Sequence, residues 1–177
     1  MSVSFAFRCE CCGELHEGSP SFTFAAPDPY VNLSSAQQAA AGTLDGDLCV
    51  IAHDRGADRF VRAVLEVPIH GVDAPFLWGV WVSLGEHSFR RYLESFEAPV
   101  AGDGYFGWVC NEIALYPHGD PRPADLLVQT AGSRPRVVLH RGDPEDDPLV
   151  IDQLDGISPA RAQALATRAL HGHRPRA

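Results

Sequence analysis

Apolar and polar residues alternate along two segments in the middle of the chain. From Arg59 to Val67, one face is apolar and the other carries Arg62 and Glu66, which predicts a half-buried strand. From Phe76 to Leu84, aromatic and β-branched residues dominate both faces, which predicts a central strand covered on both sides. The predicted apolar face of the first strand consists of Val61, Ala63, Leu65 and Val67.

Shorter patterns predict further elements. The C-terminal helix has the clearest signals, since Ser158 suits the N-cap, Pro159 suits the first helical position and Gly172 suits the end. Ser34 and Gln37 have the spacing of a capping box before another short helix. The remaining predicted strands are Leu48 to His53, Tyr105 to Val109 and Arg136 to His140, and the remaining predicted helices are Ala36 to Ala41 and Glu86 to Phe96.

Strands followed by helices without regular alternation predict an α+β fold. We expect one domain over residues 1–177, with a largely antiparallel sheet packed against a few short helices. The 177 residues are enough for one sizeable core, and no linker or internal repeat divides them. Residues 172–177 are predicted to form a flexible C-terminal tail.

The net charge of the chain argues against some kinds of binding partner. The formal net charge is −9, and all 14 basic residues are arginines. This balance argues against broad binding of nucleic acids or anionic membranes, which relies on clustered positive charge. No apolar run reaches about 18 residues, and the N-terminus lacks the pattern of a signal peptide. We therefore expect a cytoplasmic protein whose five cysteines are thiols or metal ligands rather than disulfides.

Residues 5–20 contain the most specific chemical pattern, a knuckle-like loop. Cys9 and Cys12 are separated by two residues, a spacing that directs two sulfur atoms at one tetrahedral zinc ion. Gly13 gives the backbone freedom to turn just after the second sulfur, and His16 offers a nitrogen four residues further on. A redox pair is disfavoured because such a motif normally opens a helix, where Gly13 is a poor residue.

Several residues are candidates for the fourth ligand. Cys11 is adjacent to Cys12 and is expected to point away from a metal shared by Cys9 and Cys12. Cys49 and Cys110 lie in apolar segments, which also favours a simple role as small buried side chains. If only three protein ligands exist, a water molecule would fill the fourth position and support hydrolysis. The candidates for the fourth ligand are Cys49, Cys110, His53 and His171.

Two other patterns are better explained by structural roles than by binding. The segment from Leu154 to Ala162 resembles the hairpin of a helix-hairpin-helix DNA-binding element, but Ser158 replaces its second glycine and no clear partner helix precedes it. The acidic stretch upstream also opposes contact with phosphate, so a plain capped helix is favoured. An aromatic group is assigned mainly to the core, with a pocket lining as the alternative; it comprises Trp78, Trp81, Tyr105, Phe106 and Trp108.

Several segments together resemble the bacterial domain-of-unknown-function family 2199, from about Phe7 to His171. The resemblance implies a small bacterial domain and no established activity. Relatives tend to carry histidine where this chain has Asp147, so a metal site that used that histidine would be altered here. The segments that carry the resemblance are Cys9-x-x-Cys12-Gly13-x-x-His16, Trp78-Gly79-Val80-Trp81-Val82-Ser83-Leu84 and Tyr105-Phe106-Gly107-Trp108.

Three hypotheses for function follow. The leading one is a zinc-stabilised, non-catalytic domain that binds a protein or small-molecule partner, with Cys9, Cys12 and His16 as ligands. The first alternative is a zinc-dependent hydrolase with an open metal position, for which Asp47 or Glu14 would be the general base. The second is an acidic module that neutralises a toxin or binds another protein, which rests on the net charge alone.

Overall fold

The computed structural model of the protein describes residues 3–95, 100–113, 115–117, 119–130, 132–142 and 147–171. The predicted tail at residues 172–177, the end of the predicted helix at Phe96 and most of the acidic stretch before Asp147 lie outside these residues. In the part that is described, the chain forms ten strands and five helices. None of these helices combines the length and the apolar character needed to cross a membrane.

The elements alternate irregularly, as the sequence predicts for an α+β domain. The strands are β1 (Ala6–Arg8), β2 (Leu15–Glu17), β3 (Ser21–Thr23), β4 (Gly42–Leu44), β5 (Leu48–His53), β6 (Gly56–Val67), β7 (Phe76–Leu84), β8 (Gly104–Val109), β9 (Arg122–Leu127) and β10 (Arg136–Leu139). The helices are α1 (Asp28–Val31), α2 (Ser35–Ala41), α3 (Glu86–Glu94), α4 (Pro148–Asp155) and α5 (Pro159–His171).

Strands β6 to β10 close into a five-stranded barrel, so the predicted sheet is largely antiparallel but is not a plain open sheet. Each strand pairs antiparallel with the next, and β10 then pairs parallel with β6 at Arg136↔Val64 and Val137↔Leu65. The parallel pair is a geometric necessity, since in a meander of alternating direction the first and fifth strands run the same way. Strands β5 and β4 extend the sheet beyond β6, and β3 pairs parallel with β7.

The main core fills the barrel. The alternation of β6 is confirmed, because Val61, Ala63 and Leu65 are completely buried inside. Complete burial of a Val or Leu side chain contributes about 1.5–3 kcal/mol, so this row is a large part of the stabilisation. The predicted central strand is also confirmed, since β7 pairs with β3, β6 and β8.

A smaller second core lies outside the barrel, against β5, β6 and β7. Its buried members are Cys49, Ile51, Phe60 and Trp81, and side chains of the segment that contains α1 pack over them. The Trp81 ring nitrogen donates a hydrogen bond to the Phe24 carbonyl at 3.0 Å. The predicted capping box of Ser34 and Gln37 is present and begins α2 beside this core.

Helices α4 and α5 pack against the barrel as a helical hairpin. The predicted N-cap of α5 is confirmed, since Ser158 Oγ accepts a hydrogen bond from the Arg161 amide. Helix α4 was not predicted, so the statement that no partner helix precedes this turn is wrong. The hairpin faces the protein, however, because the Ile157 amide donates to the Pro68 carbonyl at 2.8 Å and is not free for a phosphate.

Gly156 makes this turn possible. Its φ is 76°, which residues with a side chain rarely adopt, and an added Cβ would lie 2.9 Å from the His70 ring nitrogen. A buried polar group then fixes the hairpin: Asp152 accepts hydrogen bonds from the Tyr116 hydroxyl at 2.6 Å and from Arg161 Nε at 2.8 Å. These contacts hold the first turn of α5 against α4 and Tyr116.

Candidate metal centre

The knuckle is the turn between β1 and β2, which form a separate two-stranded sheet. The Cys9 amide donates to the Glu14 carbonyl at 2.8 Å, and the Gly13 amide donates to the Cys9 carbonyl at 2.8 Å. Gly13 has a φ of 75°, so it supplies the left-handed turn for which the sequence suggested a glycine. Arg8 Nη1 also donates to the Gly13 carbonyl at 2.7 Å, which holds the loop closed.

Three metal-binding side chains meet at this turn. The ligand atoms of Cys9, Cys12 and His171 all lie within 4.8 Å of one another. The Cys9 sulfur is 3.2 Å from His171 Nε2, although 162 residues separate them. Two ligands of one tetrahedral zinc ion lie about 3.4–3.8 Å apart, because Zn–S bonds are about 2.3 Å long and Zn–N bonds about 2.0–2.1 Å. The Cys9–His171 distance is slightly below this range, and the other two distances in the group are at most 4.8 Å.

His16 lies beside the same turn and approaches Cys12. Its Nε2 atom is 3.7 Å from the Cys12 sulfur. Cys12, Glu14 and His16 form a second group whose ligand atoms are within 4.8 Å of one another. The His16 ring stacks on buried Phe7, with centroids 5.0 Å apart and planes 22° apart, so β1 orients the imidazole towards Cys12. Cys12 thus belongs to both groups, whereas His16 is not within 4.8 Å of every ligand atom of the first group.

The two sulfur atoms have different proton affinities. Hydrogen bonding from the Cys12 amide lowers the pKa of Cys9 to about 6, with further contributions from the Cys11 amide, the Cys12 thiol and His171, although burial opposes them. For Cys12, a hydrogen bond from the Glu14 amide lowers the pKa, but burial and the neighbouring Cys9 sulfur raise it overall. Cys9 is therefore a thiolate at neutral pH, which is the form that binds metals.

The other candidate ligands lie elsewhere. Cys49 and Cys110 belong to the second core, and the Cys110 thiol donates to the Trp108 carbonyl at 3.2 Å. His53 is paired with Asp58 at 3.7 Å. Cys11 is exposed and is in neither group of potential ligands among the described residues. Of the four residues considered for the fourth position, the structure brings His171 to Cys9.

Asp147 has a structural environment rather than a metal-binding one. Its carboxylate accepts a hydrogen bond from Arg122 Nε at 2.6 Å and another from the Leu149 amide at 3.0 Å. Arg122 is buried, so this ion pair both neutralises the guanidinium and caps α4. Asp147 is in neither group of potential metal ligands in the described part of the chain.

Comparison with known protein families identifies the family of this chain. Residues 8–157 match the model of a family described as "Uncharacterized protein conserved in bacteria (DUF2199)". The chain belongs to this family. The matched range includes Cys9, Cys12 and His16 and ends before α5. Searches of curated proteins and of solved structures gave no significant match. The family description assigns no activity, so the function of this member of DUF2199 has to be argued from its site.

Proposed function

We propose that this DUF2199 member is a zinc-stabilised, non-catalytic binding domain of the bacterial cytoplasm. Cys9, Cys12 and His171 are three of the zinc ligands in this proposal, and His16 is the fourth. The observation that carries the proposal is the meeting of two cysteine sulfurs and an imidazole from opposite ends of the sequence, with ligand atoms within 4.8 Å of one another. Two sulfurs and two imidazole nitrogens form a ligand set that zinc prefers.

In this proposal the metal stabilises the β1–β2 hairpin. The β1–β2 hairpin is a sheet of its own, and three-residue strands in an isolated hairpin are marginally stable in water. Phe5 and Phe7 pack against the main core, yet the loop at Cys12 is exposed. A zinc ion shared by Cys9 and His171 would tie the loop to α5, and its binding energy would become folding energy.

The experiment begins with the metal content of the purified chain. We expect about one zinc ion per chain by elemental analysis. Removing it with a strong chelator should lower the thermal unfolding temperature, and adding zinc back should restore it. The double variant Cys9→Ser, Cys12→Ser should bind no zinc and unfold at the temperature of the chelated protein. Metal-free protein with unchanged stability would contradict the proposal.

One observation favours the hydrolase as a second candidate. Glu14 lies in the same group as Cys12 and His16, where a carboxylate would serve as a general base if His16 left an open metal position. Asp47 does not support this reading, because it forms an ion pair with Arg134 at 2.6 Å and is in neither group of potential ligands in the described part of the chain. Cobalt substitution distinguishes the candidates: four protein ligands give a tetrahedral spectrum that small anions do not change, whereas an open position gives one that they shift.

A further inference from the structure

The outer surface of β8 carries two large aromatic side chains that the main core does not use. Phe106 is 50% exposed and Trp108 is 44% exposed, whereas Trp78 and Trp81 are almost completely buried. The two exposed rings meet edge to face, with centroids 5.5 Å apart and planes 82° apart. An exposed pair of this size is typical of a surface that binds a partner.

The register of the sheet shows how this surface arises. Phe60, Ser83, Trp108 and Pro123 are successive neighbours across β6, β7, β8 and β9 on the outer face of the barrel. Phe60 at one end of this row is covered as part of the second core. At Trp108 the row continues into solvent, beside Pro29 at the start of α1. The exposed rings are thus the uncovered continuation of an apolar layer.

An open groove of about 570 Å³ runs along this boundary. Its apolar lining includes Pro29, Phe60, Phe106 and Trp108. The volume is within the range of about 300–1,000 Å³ that small ligands or a few side chains fill. We name it the β8 groove.

The charges around the β8 groove are mainly negative. Asp58 and Glu86 line it, and their side chains are 59% and 72% exposed. Arg59, the cation in the lining, is only 22% exposed and lies 3.5 Å from Glu86. Asp125 is the cross-strand neighbour of Phe106 and contacts His140 at 3.0 Å. Asp58 also has a neighbour of the opposite type, His53 at 3.7 Å. The lining therefore has a formal charge of −1, and its two carboxylates are more exposed than its guanidinium.

We propose that the β8 groove binds an extended, arginine-containing segment of a partner protein. A guanidinium group would stack on the Trp108 and Phe106 rings, and Asp58 and Glu86 would pair with the neighbouring basic side chains. Nucleic acid is disfavoured by the same carboxylates and by the net charge of −9. A second copy of this chain is disfavoured because a symmetric contact would bring equal carboxylates together. The proposal rests on the binding role proposed above and is independent of the metal.

The test uses the full chain as purified and a fluorescein-labelled twelve-residue peptide of alternating arginine and serine. Fluorescence anisotropy at about 50 mM salt should show saturable binding, and a glutamate-serine peptide should show none. Trp108→Ala and Phe106→Ala should each weaken binding about tenfold. Asp58→Asn with Glu86→Gln should weaken it as well and should flatten its dependence on salt.

The matched control is Glu17→Gln with Asp155→Asn, which removes two exposed charges that do not line the groove. It should bind the peptide nearly as well as the unmodified chain. Equal weakening by this control, or no saturation at about 1 mM peptide, would overturn the proposal. So would self-association of the protein that Trp108→Ala abolishes, since a second copy would then occupy the groove. Zinc content is measured on the same samples. An unmodified chain that contains zinc but does not bind the peptide rejects the groove alone, and an unmodified chain that binds the peptide but contains no zinc rejects the metal centre alone.

Discussion

Cys9 in the knuckle and Cys49 in the second core are both completely buried, but the pKa values of their thiols shift in opposite directions. The pKa of Cys9 falls from 9.0 to about 6, while the pKa of Cys49 rises from 9.0 to about 11. Burial alone raises the pKa of both thiols. The difference comes from the amide hydrogen bonds of the turn, which stabilise the Cys9 thiolate and have no counterpart among the causes that act on Cys49.

The comparison shows that hydrogen bonds from the surrounding backbone distinguish the Cys9 thiol from the Cys49 thiol, on which burial has the largest effect. The knuckle places amides of Cys11 and Cys12 around one sulfur because Gly13 lets the chain reverse there. Strand β5 directs its own amides into the sheet, so the Cys49 sulfur meets apolar neighbours. Four predictions test this contrast, in order of decreasing effect.

The largest effect is expected when the two cysteines are replaced in turn. Cys9→Ser should lose most of the bound zinc and lower the unfolding temperature by roughly 10 °C, because the hairpin loses its connection to α5. Cys49→Ser should keep a full complement of zinc. Elemental analysis and thermal unfolding on both variants measure this. Loss of zinc from Cys49→Ser, or its retention in Cys9→Ser, would remove the distinction between the two sites.

The next effect concerns the histidine that completes the group. His171→Gln should weaken zinc binding at least about 100-fold, since a metal ligand contributes more than the hydrogen-bond partners whose removal costs 10–100-fold. His16→Gln should weaken it too if four protein ligands are used. Competition with a coloured chelator measures both affinities. His53→Gln is the control, because His53 pairs with Asp58 and should leave the affinity unchanged.

The third effect concerns the pH dependence of the unfolding free energy of metal-free protein. The two thiols should contribute to it with opposite signs. The unfolded chain holds the Cys9 proton up to about pH 9 and the folded chain releases it at about pH 6, so stability should rise with pH between these values. Cys49 stays protonated in the folded chain up to about pH 11, so its contribution should fall between pH 9 and 11. Denaturant unfolding measured at a series of pH values gives the unfolding free energy, whose dependence on pH shows both slopes. Cys9→Ser should lose the first slope only, and Cys49→Ala the second only.

The smallest effects are expected from replacing Cys49 and Cys11, which lie in neither group of potential ligands among the described residues. Cys49→Ala should cost about 1–2 kcal/mol of unfolding free energy, because it leaves a small cavity beside Trp81. Cys11→Ser should change the unfolding free energy by less than about 0.5 kcal/mol, since its side chain is exposed. Both should retain zinc. A large loss of metal in Cys11→Ser would assign Cys11 a place among the ligands.

Much of the fold is predictable where periodicity is strong. The inner row of β6, the central position of β7, the capping box of α2 and the start of α5 all follow from local pattern. Strand β9 was missed because Arg122-Pro123-Ala124-Asp125 lacks β-branched residues, and Arg122 is buried through its ion pair with Asp147. Helix α4 was missed because it is only eight residues long and follows an acidic stretch.

The local chemistry of the knuckle follows directly from the order of its residues: a pair of cysteines at metal-binding spacing, a glycine at the turn and a histidine within reach. Local backbone geometry fixes these relations, because the residues are separated by only a few bonds. Tertiary structure alone decided that His171 meets Cys9, since that contact depends on the closure of the barrel and on the Tyr116–Asp152–Arg161 group that positions α5. It also decided that Trp81 is buried while Trp108 is exposed, because the cover over the outer face ends between them.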